Sequence, residues 1–168
     1  MANEAYRAVF LRVHPTGKMV LDTARGRVPA YIDTGLNIVH VDDVAEGHAL
    51  ALERGRIGER YVLGGENLLL KDVLALIASV AGQPPPRIRL PESLIWPVAW
   101  AMEKTAPLTG IAPMMTRDHL KMARKKMFYS SAKAETELGY RARPARQAVE
   151  DAVAWFREAG MLRGGRHA

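Results

Sequence analysis

A tyrosine and a lysine stand four positions apart in the stretch 129–133, which reads YSSAK. On a helix this spacing places a phenol and an ammonium group one turn apart, and the cation then lowers the pKa of the phenol so that it can act as a general acid or base. Ser130 and Ser131 are typical N-cap residues, however, so Tyr129 is expected to precede the helix that carries Lys133. We therefore interpret the pattern as accidental and Tyr129 as a residue that packs or lines a pocket wall.

Other chemical motifs in the sequence exclude several classes of enzyme. The five histidines include no pair at the spacing of a zinc-protease helix, and the absence of cysteine excludes thiolate metal sites and disulfides. The side chains of His40, Asp42 and Asp43 could in principle ligate a metal, but adjacent residues on a strand point to opposite faces. The sequence contains no G-x-S-x-G nucleophile elbow, and GGENLLL lacks the Gly-Lys-Ser/Thr ending of a phosphate loop. No catalytic residue and no metal-binding residue is predicted.

Glycine-rich dinucleotide loops are also missing from the sequence. A dinucleotide needs a G-x-G-x-x-G turn so that its pyrophosphate can approach a helix N-terminus, and this spacing is not found after the first predicted strand. No cofactor-binding residue is therefore predicted, and no cofactor is expected to bind this chain alone.

Basic residues exceed acidic ones, 24 against 18, and the excess is clustered. The clusters are Lys121, Arg124, Lys125 and Lys126, then Arg141, Arg143 and Arg146, and finally Arg163 and Arg166. They could bind a phosphate-bearing ligand, a nucleic acid or an anionic surface, or form a solvated face. Aromatic residues do not alternate with the basic ones, so no nucleic-acid partner is predicted.

Strands and helices alternate through the first part of the chain, and helices dominate the rest. Hydrophobic periodicity predicts strands at 8–13, 37–41, 59–65 and 87–90, and helices at 16–25, 43–55 and 70–82. Asp42 or Asp43 is expected to cap the second of these helices, on which Val44, Ala45, His48, Ala49 and Leu52 keep helical spacing. Further helices are predicted at 91–106, 116–124, 130–139 and 144–160. The order of elements predicts an α/β fold with a helical C-terminal lobe.

The longest apolar run, 94–102, has nine residues and contains Pro97. It is too short to cross a bilayer, which takes about 20 residues, so no transmembrane segment is predicted. Trp96 and Trp100 could contact a membrane interface, or the run could form a kinked helix that covers a substrate pocket. No secretory signal is expected, and the lack of cysteine is typical of the cytoplasm, which is the predicted location.

Three blocks of sequence carry a resemblance to a known family. They are NIVHVDDVAEGHALALERG, GERYVLGGENLLLKDVLALIASVAG and SSAKAETELGYRARPARQAVEDAVAWFREAG. From about Pro15 to Leu162 the chain resembles the C-terminal half of an extended short-chain dehydrogenase/reductase of the NAD-dependent epimerase/dehydratase family. Within that family it is most similar to hopanoid-associated sugar epimerases and to dihydroflavonol-4-reductase-like proteins.

The resemblance implies an incomplete Rossmann-type α/β sheet edge at 1–90, a mainly helical substrate-binding lobe at 91–162 and a tail at 163–168. Family members carry the glycine-rich loop and the catalytic Tyr-x-x-x-Lys in their first half, which has no counterpart here. The implied function is the substrate-binding portion of an NAD(P)-dependent sugar epimerase/dehydratase or dihydroflavonol-reductase-like oxidoreductase, inactive alone. The alternative is a non-catalytic α/β remnant that binds a small ligand or a protein.

The same resemblance implies that Leu36, Asn37 and His40 bind the substrate. Leu36 occupies the position, four before His40, at which nucleotide-sugar epimerases have an arginine that clamps the sugar diphosphate. This departure favours a less charged small-molecule substrate, as in the reductase-like members. Asp42 and Asp43 are expected to act as caps and packing residues.

An incomplete sheet implies an exposed strand edge, and such edges seek partners. We expect self-association, as a dimer or by strand exchange, or binding to a chain that carries the cofactor half. The chain is expected to be a truncated, split or degenerate gene product.

The purified chain is predicted to have no measurable affinity for NAD(H) or NADP(H), because it lacks the glycines that bring a pyrophosphate to a helix N-terminus. Titration calorimetry checks this, and a micromolar dissociation constant for either cofactor would contradict it.

Overall fold

A computed structural model describes residues 15–91 and 125–162 of the chain. Several predictions lie outside these ranges: the strand at 8–13, the helices at 91–106 and 116–124, and the tail at 163–168. The apolar run at 94–102, with Trp96 and Trp100, also lies outside.

Helices and strands alternate in the described ranges, which confirms the predicted α/β class. In chain order the elements are α1 (Pro15–Ala24), β1 (Ala30–Tyr31), β2 (Gly35–Ile38), α2 (Val41–Arg54), β3 (Glu66–Leu69), α3 (Leu70–Ala81), β4 (Ile88–Arg89), α4 (Ala132–Leu138) and α5 (Ala145–Glu158). β1 pairs with β4 in parallel, and β2 pairs with β3 in antiparallel register, with Asn37 opposite Asn67.

The larger hydrophobic core lies where α1, α3 and α5 pack together. Its buried side chains are Val20, Leu21, Val73, Ile77, Val149, Val153 and Phe156. Ile77 and Phe156 are completely buried, and the ring of Trp155 meets that of Phe156 edge to face at 5.3 Å. The helices predicted at 70–82 and 144–160 are α3 and α5, and each has an apolar face in this core.

A smaller core lies between α2 and α4. Ala134, Leu138 and Tyr140 are buried there against partly buried Leu50 and Leu63. Gly47 of α2 makes this approach possible, because a Cβ at this position would lie 2.7 Å from Cδ2 of Leu63. The phenol oxygen of Tyr140 is buried and has no hydrogen-bond partner among the described residues.

Two of the predicted strands differ from the structure. The strand predicted at 37–41 is β2 at 35–38, and Val41 already begins α2. Residues 59–65, predicted as a strand, contain no strand in the structure, and β3 follows them at 66–69. A β-strand requires a neighbouring strand to which it is hydrogen-bonded. Among the described residues no strand pairs with 59–65, whereas 66–69 pairs with β2.

The N-cap of α2 also differs from the prediction. His40, rather than Asp42 or Asp43, is the capping residue, and its Nδ1 accepts a hydrogen bond from the backbone N–H of Asp42 at 3.1 Å. Both aspartates lie in the first turn, where the positive end of the helix dipole favours carboxylates. The predicted capping by these two carboxylates was therefore wrong.

Helix α5 packs on α1 and α3, across the predicted boundary near residue 90. The division into 1–90, 91–162 and 163–168 remains a prediction. In the described parts of the chain, no helix combines the length and apolar character that a membrane span requires.

Truncating Ile77 to alanine is predicted to lower the free energy of unfolding by about 2–5 kcal/mol, because the fully buried side chain would leave a cavity. Ile57→Ala is the matched control, since Ile57 is fully exposed and should change stability by less than about 0.5 kcal/mol. Urea unfolding of both variants measures the difference, and equal losses would contradict the packing of α3 described above.

Tyr140 is predicted to make stability fall at alkaline pH. Burial, and then the negative charge of Asp43, raises the pKa of the Tyr140 phenol above its ordinary value of 10.0. As pH rises above 10.0, the Tyr140 phenol loses its proton first in the unfolded chain. Its contribution to the free energy of unfolding is therefore complete below pH 10.0 and is lost as pH rises through the pKa of Tyr140 in the folded chain. Tyr140→Phe should flatten the fall in unfolding free energy above pH 10.0 relative to the unmodified chain, and an unchanged slope would contradict it.

Candidate functional site

The tyrosine and lysine of the YSSAK stretch do not form a pair in the structure. Tyr129 precedes Ser131, the N-cap residue of α4, and its side chain is exposed. Lys133 instead pairs with the Glu59 carboxylate, and its Nζ lies 4.8 Å from the centre of the Tyr61 ring. Lys133 thus holds the segment before β3 against α4 and gives Tyr129 no chemical assistance.

Asp43 is the centre of a buried ionic contact. Its side chain is 2% exposed, and its two carboxylate oxygens accept hydrogen bonds from the backbone N–H and from Nε of Arg143, at 2.8 and 2.7 Å. A buried carboxylate is stable only when donors and a countercharge replace water, and Arg143 supplies both. We call this contact the Asp43–Arg143 clasp.

His40 makes a second link beside the clasp. Its Nδ1 accepts a hydrogen bond from the Asp42 N–H, so the ring hydrogen is on Nε2. Nε2 then donates a hydrogen bond to Oδ2 of Asp151 in α5, at 2.9 Å. The ring is buried, and both of its nitrogens are bonded within the protein. His40 therefore fixes the start of α2 against α5.

The side chains that could in principle have ligated a metal are engaged in other contacts. His40 holds Asp151, and Asp43 holds Arg143. Across 15–91 and 125–162, no group of three or more histidine, aspartate or glutamate side chains is placed to hold a metal ion.

Asn37 of β2 holds the turn that leads into β3. Its Oδ1 accepts the N–H of Gly65 at 2.9 Å, and its Nδ2 donates to the Gly65 carbonyl at 3.1 Å. Gly65 must be glycine, because a Cβ there would lie 2.2 Å from the backbone oxygen of Ile38. The N–H of neighbouring Gly64 donates to Oγ of Ser131, at 3.0 Å.

These two glycines do not form a phosphate cradle. Both of their N–H groups, the donors that a pyrophosphate would need, are bonded to Asn37 and Ser131. Within the described residues, these two N–H groups are therefore not available to bind a pyrophosphate.

The segment 127–131, which we call the docked segment, lies along β2 and β3. The N–H of Met127 donates to the Gly35 carbonyl at 2.9 Å. Asn67 binds the main chain of Tyr129 twice, with its Oδ1 accepting the N–H at 3.1 Å and its Nδ2 donating to the carbonyl at 2.9 Å. The amide of Asn67 thus takes the place of a neighbouring strand.

Phe128 of the docked segment lies over Gly35. A Cβ on Gly35 would be 2.3 Å from Cε1 of the ring, so only glycine permits this contact. The rings of Phe128 and Tyr129 nevertheless remain partly exposed, and Leu36 follows Gly35 in β2. Phe128 and Tyr129 of the docked segment therefore form a partly exposed aromatic surface beside Gly35.

The predicted substrate residues lie at the beginning of this arrangement. Leu36 and Asn37 belong to β2, and His40 follows it. The amide of Asn37 and the ring of His40 are engaged in protein contacts, whereas Leu36 is half-buried and apolar. Sequence reasoning missed the contacts of Asn67 with Tyr129, of Ser131 with Gly64 and of Arg143 with Asp43, although it named Ser131 as a candidate N-cap.

The basic clusters are divided between ion pairs and an exposed surface. Arg143 binds Asp43, and Arg146 lies 3.4 Å from Glu150 one turn along α5. Arg141, Lys125 and Lys126 are exposed. Lys121, Arg124, Arg163 and Arg166 lie outside the described residues.

Replacing Asp43 by asparagine is predicted to lower the free energy of unfolding by about 2 kcal/mol, because the clasp loses its charge while its shape is kept. Asp42→Asn is the matched control: this carboxylate is mostly exposed and 3.9 Å from Arg143, so its loss should cost less than about 1 kcal/mol. Denaturant unfolding of the two variants checks the difference, and similar losses would mean that the clasp does not stabilise the fold.

The curated proteins that are similar to this chain include a reductase-like protein and a sterol demethylase protein. A dihydroflavonol 4-reductase-like protein from Synechocystis sp. is 40% identical over 153 residues, which cover 89% of this chain and 45% of the relative. Sterol demethylase protein B from Methylococcus capsulatus is 30% identical over 148 residues, 87% of this chain and 45% of the relative. The chain thus spans somewhat less than half the length of these relatives. No protein-family model matches it.

Solved structures give the same result. The crystal structure of gox2253 is 56% identical, with a TM-score of 0.75, and the match covers 92% of this chain and 47% of that chain. A nucleoside-diphosphate-sugar epimerase from Pseudomonas aeruginosa is 28% identical, with a TM-score of 0.69, over 88% of this chain and 44% of that chain. The predicted partial Rossmann-type fold is confirmed by these neighbours. The resemblance seen in the sequence is confirmed as well, and the chain corresponds to the C-terminal portion of an extended short-chain dehydrogenase/reductase.

Proposed function

We propose that this chain is the substrate-binding portion of an NAD(P)-dependent oxidoreductase or epimerase of the extended short-chain dehydrogenase/reductase family. The observation that carries the proposal is the match over 89% of this chain to only 45% of a reductase-like relative. The cofactor grip and the proton transfer come from polypeptide that these 168 residues do not contain.

The substrate is a small molecule of low charge. Leu36 brings no cation to the position where an arginine would clamp a diphosphate, and the docked segment, which packs on neighbouring Gly35, carries the partly exposed rings of Phe128 and Tyr129. Apolar and aromatic surfaces of this kind suit a ring system better than a nucleotide sugar. The names of two relatives, a dihydroflavonol reductase and a sterol demethylase protein, refer to such ring systems.

Asn37 and His40 contribute to substrate binding by position. Their polar atoms are bonded to Gly65 and Asp151, so they fix the backbone that follows Leu36. Leu36, between Gly35 and Asn37, is the residue of the three that supplies direct contact.

The partner is a chain that carries the cofactor half, in preference to a second copy of this chain. The half-length match favours the first, because the relatives contain about as much further polypeptide as they share with this chain. Cytoplasmic location and association with hopanoid metabolism remain predictions, the first supported by the cysteine-free sequence.

The test is reconstitution. The chain is co-expressed with the part of gox2253 that lies outside the match, and oxidation of NADPH or NADH is followed with dihydroflavonol and sterol ketones and, separately, with nucleotide-diphosphate sugars. We expect turnover with the ring-shaped substrates and none with either polypeptide alone.

Leu36→Arg should lower kcat/KM for the ring-shaped substrates at least about tenfold, with Leu36→Met as the size-matched control. A purified complex without turnover of any substrate would favour the alternative of a non-catalytic remnant.

A further inference from the structure

The outward face of α2 is apolar and exposed. Val41, Ala45, His48, Ala49 and Leu52 recur at intervals of three and four, which places them on one side of the helix, and all are exposed. Leu52 is 89% exposed, although leucine is a residue of protein interiors. The residues of α2 that are buried in the chain are Asp43 and Gly47, on the other side. We call this exposed stripe the outer face of α2.

Residues 60–63 have the side-chain alternation of a β-strand. Tyr61 and Leu63 pack into the smaller core, whereas Arg60 and Val62 are exposed. Among the described residues no backbone lies beside this segment as a ladder partner. It therefore has the pattern of a strand that is half-buried on one face and unpaired at its edge.

The segment and the helix are adjacent. Leu63 lies directly on Gly47 of α2, where a Cβ would be 2.7 Å from its Cδ2. A helix packed against a strand is the unit from which α/β sheets are built, and its remaining faces are covered when further strands are added. Both uncovered features, the outer face of α2 and the free edge at 60–63, thus belong to one unit.

We propose that the outer face of α2 and the segment 60–63 form a single docking surface for the complementary part of an α/β sheet. The occupant adds a strand beside 60–63 and covers Val41, Ala45 and Leu52 with apolar side chains. This inference rests on the proposed function for the identity of the partner. The further polypeptide in the relatives, more than half of their length, is the source of that partner.

Charge disfavours a second copy of the chain as the occupant. Asp42, Glu46 and Glu53 are exposed along one side of the outer face. In a two-fold symmetric dimer formed through this face, the outer face of α2 of one chain would contact the same face of the second chain. These carboxylates of the two chains would then approach one another. A partner with basic residues at the rim of its apolar face fits instead.

The experiment measures binding, independently of turnover. The full chain, as Leu52→Lys, Val62→Lys or unchanged, is titrated against the part of gox2253 outside the match, after co-expression has shown that the two co-purify. Each lysine should weaken the complex at least about tenfold by placing a charge in an apolar contact. Ala154→Lys adds the same charge to an exposed position of α5 and should leave the affinity unchanged. Because the altered side chains are exposed, the variants should fold. Melting temperatures equal to that of the unchanged chain would verify this.

Hydrogen exchange provides the second readout. Strand addition should slow exchange of the backbone amides at 60–63 in the complex and leave the exposed amides at 57–58 unchanged. Failure to co-purify, equal affinities for all variants, or no protection at 60–63 would overturn the inference. So would a homodimer, seen by light scattering, that Leu52→Lys dissociates. Binding that follows the prediction without turnover would support the docking surface and count against the proposed function alone.

Discussion

The Asp43–Arg143 clasp is the contact on which the arrangement of the site depends. A carboxylate that is almost entirely removed from water destabilises a fold unless a cation and N–H donors surround it. Asp43 lies in the first turn of α2, and Arg143 lies just before α5, 100 residues later in the chain. The clasp therefore joins the smaller core, to which α2 belongs, to the larger core, to which α5 belongs. His40 strengthens the same joint through Asp151, so the start of α2 can hardly move relative to α5.

The second constraint is steric: other groups of the protein approach a glycine in β2 and a glycine just before β3 very closely. Gly35 accepts the Phe128 ring and Gly65 accepts the backbone of Ile38, at distances that leave no room for a Cβ. Two amides then take the place of strand neighbours: Asn37 closes the turn before β3, and Asn67 binds the main chain of Tyr129. The partly exposed aromatic surface of the docked segment is thus held by side chains whose polar atoms are already bonded within the protein. Hydrogen bonds fix the shape, and hydrophobic surface remains for recognition.

The sequence predicted what depends on local pattern. Helix α3 was recognised from the spacing of Val73, Leu74 and Ile77, and its end from Gly82, which adopts the left-handed conformation with φ of 71°. The cap of α2 was misjudged, because aspartate is a common N-cap residue and only the structure shows that Asp43 is needed by Arg143 instead. Contacts such as Asn67 with Tyr129 join residues 62 positions apart, and no periodicity encodes them. The family resemblance predicts that Leu36 contacts the substrate, but it gave no indication that Phe128 packs on neighbouring Gly35.

The error at 59–65 and the exposed face of α2 have one physical cause. Hydrophobic periodicity indicates that one face of a helix or strand is buried, but it does not identify the polypeptide that covers this face. The stretch ERYVLGG has the composition of a strand, and Val41, Ala45 and Leu52 have the spacing of a buried helix face. Among the described residues, however, the stretch has no ladder partner and these three side chains are exposed. Both patterns suit a larger sheet, since a strand needs a ladder and an apolar stripe needs a surface. The same two unsatisfied patterns are therefore the features from which the docking surface is proposed.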